Sequence, residues 1–276
     1  MDNIFYLDGL FRSGNTVLSS ILNQNPQVCS TSLSPIGDYF FSLSEANRWS
    51  EGALRNNNKQ QFSNMIKSII PEYYKDVEQK HLIVRAKHWT MPLNFQFIKE
   101  HINPSPKIIY TVRDTLDILA SMILLLRKNP YLNEAMLGSN FQAIHYLEPE
   151  DARCDFIMDS QGLLMSSFYG LHNAMQPENI PYVHFVHYDD LMNYPQETMN
   201  RIYTFLEIDY YEHDFNNIIK KESEEEPFNL PNQLHEVRLD LSRTSPHYSE
   251  VLSPYVINKY SGADFWKHSV PRIAKG

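Results

Sequence analysis

The sequence predicts an α/β fold, a mostly parallel sheet flanked by helices, formed by one domain over residues 1–276. Three observations carry this. Strand-like and helix-like segments alternate along the chain, the pattern of repeated β–α units. A short apolar run, Ile4-Phe5-Tyr6-Leu7, leads through a turn bracketed by Gly9 and Gly14 into a helical repeat. A second apolar run, Lys107–Val112, passes directly into Arg113-Asp114 and a further helical repeat. No Gly-, Ser- or Pro-rich linker and no internal repeat divides the chain, which favours a single domain.

Taken in order, Ile4–Leu7 is the first strand, and Val17, Leu18, Ile21 and Leu22 place a helix over Asn15–Asn23. Between them lies Gly9-Leu10-Phe11-Arg12-Ser13-Gly14-Asn15-Thr16. The N–H groups of such a turn and the positive end of the helix dipole converge on one point, an anion cradle. A Walker loop, GxxxxGK[ST], carries a lysine that reaches the outer phosphates of a nucleoside triphosphate. Here Asn15 holds that position and Arg12 is the loop's only cation, which argues against an ordinary ATPase or kinase.

Val28-Cys29 reads as a short strand, Ile36–Ala46 and Lys59–Ile70 as helices, His81–Val84 as a strand, and Leu93–His101 as a helix. After the Lys107–Val112 strand, Asp114 is the expected N-cap of a helix over Thr115–Arg127, with Asp117 in its first turn. Residues 128–154 mix Pro130, Tyr131, Gly138 and acidic side chains, and are expected to form an irregular insertion beside the site. Asp155–Met175 is a helix, Tyr182–His187 a strand and Gln196–Leu206 a helix. Pro26, Pro71, Pro104, Pro130, Pro177 and Pro181 punctuate element ends. The 210–276 tail is less regular.

Hydrophobic content of 42% suffices for a core, and a net charge of −9 argues against a broad nucleic-acid surface. Part of the acidity is one cluster, Glu222 and Glu224–Glu226, expected to be a solvated loop. Two distant cysteines, Cys29 and Cys154, suggest neither a disulfide framework nor a cysteine-rich zinc site. No apolar run approaches the roughly 18 residues of a membrane span. The anion loop begins almost at Met1, so no ordinary signal peptide is expected. A cytoplasmic protein fits these features.

Arg113 is followed eight positions later by Ser121, across the second strand-to-helix junction. The ordered pair Arg12-Ser13-Gly14-Asn15-Thr16 and Arg113…Ser121 resembles the two signatures of the sulfotransferase superfamily. That resemblance implies a P-loop-NTPase-like sulfotransferase architecture. It implies 3′-phosphoadenosine 5′-phosphosulfate (PAPS) as donor and 3′-phosphoadenosine 5′-phosphate (PAP) as product, the sulfuryl group moving in line to an acceptor hydroxyl or amine without a metal. Arg12 would neutralise the departing 5′-phosphate, while Ser13, Gly14, Asn15 and Thr16 supply donors. Arg113 and Ser121 would hold the 3′-phosphate. Tyr188, in His187-Tyr188-Asp189-Asp190-Leu191, matches a tyrosine near the adenine nucleotide, or is an ordinary core tyrosine. Lys259 resembles a lysine that touches the cofactor in tyrosylprotein-type members, with Thr244 or Ser245 as its companion hydroxyl. The polar tail of such proteins folds back over the cofactor.

Two candidates remain for the general base. Val84-Arg85-Ala86-Lys87-His88-Trp89 stands where cytosolic-type members carry a catalytic histidine, although Ala86 replaces the lysine expected two positions before it. A histidine can accept the acceptor's proton near neutral pH, and Lys87 could stabilise charge on the bridging oxygen. Tyrosylprotein-type members use a glutamate instead. Leu33 stands at that position; Asp38 and Glu45 are the nearest acids, and Asp38 could take over from a shifted position. The acceptor stays open among carbohydrate, peptide tyrosine, lipid and small phenol, and the oligomeric state is undetermined. The alternatives to an enzyme of this kind are a P-loop nucleotide kinase or NTPase, and a non-catalytic nucleotide-binding protein.

Overall fold

Five parallel strands form the centre of the chain, in a computed structural model that describes residues 3–55, 59–128, 150–160, 162–219, 239–241 and 246–273. They are β1 (Asn3–Gly9), β2 (Val28–Ser30), β3 (His81–Arg85), β4 (Ile108–Val112) and β5 (Val183–His187), in the order β2-β3-β1-β4-β5. In register, Tyr6 lies between Val84 and Ile108, and Thr111 between Gly9 and Val186. Helices cover both faces, so the strands are apolar on both sides. Tyr6, Leu82, Val84, Ile108, Tyr110 and Val112 point into one core, with Phe40 and Trp89. Phe5, Leu7, Ile83 and Ile109 point into the other, with Leu18, Ile21, Leu22 and Met199.

The helices are α1 (Asn15–Leu22), α2 (Ile36–Trp49), α3 (Glu51–Arg55), α4 (Lys59–Tyr73), α5 (Pro92–His101), α6 (Thr115–Lys128), α7 (Glu150–Met158), α8 (Leu163–Ala174), α9 (Tyr188–Asn193), α10 (Pro195–Leu206) and α11 (Pro254–Tyr260). Each expected strand is present, and most helices agree within a turn.

Three expectations need correction. The single helix over Asp155–Met175 is two, α7 and α8, and between them the Gly162 N–H donates back to the Asp159 carbonyl. A Cβ on Gly162 would lie 2.3 Å from the Phe156 carbonyl oxygen, so this position needs glycine. Helix α7 starts at Glu150, so the end of the segment expected to be irregular is helical, and residues 129–149 lie outside the described residues. Helix α4 runs through Pro71 to Tyr73 rather than stopping before it. A proline so near the helix end removes one N–H and leaves only a short stretch to distort.

Candidate active site

The glycine-bracketed loop begins where β1 meets β4. A Cβ on Gly9 would sit 2.1 Å from Thr111 Oγ1, so the two strands close here only around glycine. Ser13, buried, donates from Oγ to the Leu10 carbonyl at 2.5 Å and lies 2.5 Å from Thr111 Oγ1. Thr111 in turn donates to Asn15 Oδ1 at 2.9 Å, and Asn15 Nδ2 donates back to the Leu10 carbonyl at 3.4 Å. The residue at the Walker-lysine position therefore laces the loop to β4. Gly14 turns the chain into α1 with φ 93°, and its Cα faces the Tyr188 ring, which an added Cβ would approach to 3.0 Å. Thr16 follows in the first turn of α1.

The residues expected to read two phosphates meet in one cluster. Arg12 reaches across from the loop, its Nε donating to Ser121 Oγ on α6 at 3.1 Å. Arg113, 6% exposed, donates from a terminal nitrogen to the Arg12 carbonyl at 2.9 Å. Its guanidinium carbon sits 4.2 Å from the Tyr188 ring centroid, at the start of α9. A cation on an aromatic face gains about 0.5–2 kcal/mol. Tyr188 thus lies against both Gly14 and Arg113, which the sequence placed far apart.

Asp114 stands at the N-cap position of α6, its carbonyl accepting from the Ile118 N–H, and the tail engages the side chains of both Asp114 and Thr115. Thr115 donates its N–H and hydroxyl to Asp264 Oδ1, at 2.9 and 2.6 Å, while Asp114 accepts from Lys267 at 2.8 Å. Arg272 and the Ile273 N–H both donate to Asp190 on α9. Two stretches of the tail are thereby fastened beside Arg113 and beside Tyr188. Burial raises the Asp264 carboxyl above the usual carboxylate range, and the Thr115 bonds oppose that.

The second group lies in the turn between β3 and α5. His88 adopts φ 71°, and its carbonyl accepts from Asn94 Nδ2 at 2.9 Å and from the Met91 N–H. Its Nδ1 is 3.8 Å from Asp38 Oδ1 on α2, and its Nε2 is 3.3 Å from Ser166 Oγ on α8. The two candidate bases are therefore neighbours. Lys87 places its ammonium 5.0 Å from the centroid of Phe11, which joins this turn to the loop. Burial lowers the Lys87 ammonium below the ordinary lysine value, and Asp38 acts against the shift.

Lys259 has different company. It donates to the Tyr255 hydroxyl at 2.8 Å and pairs with Asp155 at 2.9 Å, and Tyr260 also donates to Asp155. Those hydrogen bonds raise its pKa, and they tie α11 to α7 rather than to the loop. Thr244, Ser245 and the Glu222–Glu226 cluster lie outside the described residues. Among the described residues no group of His, Cys, Asp and Glu could hold a metal ion, and no helix is long and apolar enough to cross a membrane.

Sequence reasoning passed over Asp8. It is 6% exposed at the end of β1 and accepts from the Gly9 N–H, the Thr90 N–H and the Thr90 hydroxyl. An acid closing an otherwise apolar strand run was the available signal. Burial pushes its carboxyl above the usual range, against the pull of those donors and of His88.

Residues 5–239 match the family model described as a sulfotransferase domain. In structure the chain is similar to a mouse sulfotransferase complexed with PAP, with 16% identity, 96% of this chain and 85% of that one covered, and a TM-score of 0.56. It is also similar to the sulfotransferase domain of the Synechococcus PCC 7002 olefin synthase, at 16% identity, 99% and 90% coverage and a TM-score of 0.48. A sulfotransferase from Alicyclobacillus acidocaldarius matches at 15% identity, 82% and 87% coverage and a TM-score of 0.49. At such identities the mouse match speaks for the fold. No curated protein matches the chain by sequence.

Proposed function

The chain belongs to the sulfotransferase family, and from that premise we propose that it moves a sulfuryl group from PAPS to an acceptor hydroxyl or amine by in-line displacement. One observation carries the assignment of the donor site. Arg12, Ser121 and Arg113, singled out from two distant motifs as phosphate readers, contact one another around the loop. The cradle suits a nucleotide with phosphates at both ends: a left-handed glycine opens the helix N-terminus, two guanidinium groups lie beside it, and Tyr188 offers an aromatic edge.

In this reading the N–H groups of residues 13–16 and Arg12 hold the 5′ end, Arg113 and Ser121 hold the 3′-phosphate, and Tyr188 borders the adenosine. When bound, the donor supplies the sulfuryl group and a phosphate leaving group. Charge growing on that leaving group is met by Arg12 and by Lys87, the electrostatic share of catalysis that transfers of this type depend on. His88 takes the acceptor's proton. Asp38, 3.8 Å from Nδ1, stabilises the imidazolium that results, which turns the two candidate bases into one acid–base pair. A single catalytic domain, with its tail fastened beside Arg113 and Tyr188, accounts for the Asp264 and Arg272 contacts. We place the enzyme in the cytoplasm, in keeping with two cysteines that are not joined in a disulfide. Carbohydrate, peptide tyrosine, lipid and small phenol are the acceptors to screen.

Thermal melts test the donor. PAP at a hundred times its dissociation constant should add about 2.7 kcal/mol of apparent stability, and ATP with magnesium much less. Equal or greater protection by ATP with magnesium would return the chain to the nucleotide kinase reading. PAP binding without transfer to any acceptor class, from labelled donor, would leave a nucleotide-binding protein.

A further inference from the structure

Asp8 sits between the two halves of the site, and its hydrogen bonds divide between them. Oδ1 accepts from the Gly9 N–H at 2.8 Å, at the first residue of the donor loop. Oδ2 accepts from the Thr90 N–H at 3.0 Å and the Thr90 hydroxyl at 2.9 Å, two residues after His88. We propose that Asp8 is a positioning residue that fixes the His88 turn to the donor loop, so that occupancy of the loop is felt at the base. This rests on the assignment of the loop as donor site and of His88 as base.

The turn needs such a fastening. His88 holds a left-handed backbone, which a non-glycine residue keeps only where its surroundings over-determine it. Three elements do so. Strand β1 supplies Asp8, helix α5 supplies Asn94 to the His88 carbonyl at 2.9 Å, and helix α8 supplies Asn173 to the Thr90 carbonyl at 2.9 Å. Gly170 of α8 packs so closely on Thr90 that an added Cβ would lie 2.6 Å from its hydroxyl. Of the three, Asp8 alone also touches the donor loop. The charged and titratable groups around it are His88 of the turn and Tyr110 of β4, and His88 itself faces Asp38 of α2.

The hydrogen bonding requires two accepting oxygens. A buried carboxyl group needs its lone pairs satisfied, and here three donors satisfy them. An amide of the same shape has one accepting atom and one donating group. In Asp8→Asn, either Gly9 or Thr90 therefore presents its N–H to another N–H. A space-filling role would survive that substitution, and a fastening role would not.

Amide hydrogen exchange of the full chain, with and without PAP, separates these outcomes. In the wild type, PAP should slow exchange in residues 8–16 and also in 86–91. In Asp8→Asn, exchange of 86–91 should be faster by about tenfold, the loss of one hydrogen bond, and PAP should protect only the loop. Thr90→Val, which removes the hydroxyl donor and keeps the N–H, should weaken the coupling part of the way, and it decides the matter if Asp8→Asn does not fold. Unchanged exchange of 86–91 in both variants, or PAP still protecting loop and turn together, overturns the proposal. PAP that protects neither segment in the wild type overturns the donor assignment instead, and full turnover in a His88→Asn enzyme overturns only the base.

Discussion

Replacing Arg113 by alanine should remove the protein's preference for a 3′-phosphorylated nucleotide. The side chain has three tasks in the structure: it donates to the Arg12 carbonyl, it lies on the Tyr188 ring, and, in the proposed function, it meets the 3′-phosphate. The first two act on every nucleotide that enters the loop, since they support Arg12 and Tyr188 whatever is bound. Only the third depends on the 3′-phosphate. A charge-assisted hydrogen bond contributes about 1.5–3 kcal/mol, which corresponds to a loss of roughly 10- to 150-fold in affinity. Titration calorimetry with PAP and with adenosine 5′-phosphate, on wild type and variant, gives both affinities and hence their ratio. The ratio should fall by that factor, on top of a common loss shared by both ligands. A melt of the unliganded variant measures the structural share separately. If both affinities fall equally and the ratio survives, Arg113 acts only as a support for the loop, and the 3′-phosphate is read elsewhere.

His88→Asn should lower turnover by about 10²–10⁴-fold with PAP affinity retained, because asparagine tolerates the left-handed backbone that alanine would strain; full activity would shift the base to Asp38. Gly14→Ala should cost about 1–2 kcal/mol of stability from its φ of 93°, and should weaken PAP binding by pressing on Tyr188; a melt and a titration check both effects. Burial pulls His184 and His213 down to about 4, so each stays neutral in the folded chain while the unfolded chain takes up protons near pH 6.5. Stability from these two is thus intact above pH 6.5 and is lost as pH falls toward 4, on the order of 2–3 kcal/mol for each histidine. Urea unfolding at pH 7 and pH 4.5 measures the loss, and His184→Phe, which keeps the ring stacked on Phe205, should flatten it; an unchanged slope would mean that His184 carries no part of the pH dependence.

The strands were legible because a parallel sheet covered on both faces needs continuous apolar runs, and Ile4–Leu7 and Ile108–Val112 are such runs. Short helices were not. Glu51–Arg55, Tyr188–Asn193 and Pro254–Tyr260 span five to seven residues, too few for a 3.6-residue period to show. The last did carry a local signal, since Ser253 caps it by accepting from the Val256 N–H and Pro254 opens its first turn. At the candidate site, the two motifs singled out Arg12, Arg113 and Ser121 but not that they touch, because contact across 109 residues depends on which strands are neighbours. The same limit hid that His88 and Asp38 are neighbours. Only the packing of α2 on α5 places them side by side.

The backbone itself marks the two residues that matter most to the proposed chemistry. Among the described residues, Arg12, His88 and Glu207 are the non-glycine residues with positive φ. Glu207 has a plain reason, since it ends α10 in the left-handed conformation usual for a helix C-cap, its N–H on the Thr204 and Tyr203 carbonyls. Arg12 and His88 end no helix. Each instead has its carbonyl fixed from another element: Arg113 donates to Arg12, and Asn94 to His88. A left-handed residue projects its side chain in a direction that its helical or extended neighbours do not share. Two such conformations, each costing on the order of 1–3 kcal/mol, direct a guanidinium toward Ser121 and an imidazole between Asp38 and Ser166. A chain that needed only a turn at these positions could use asparagine or glycine more cheaply. The strain is accounted for if an arginine and a histidine must face the reacting groups from those backbone positions.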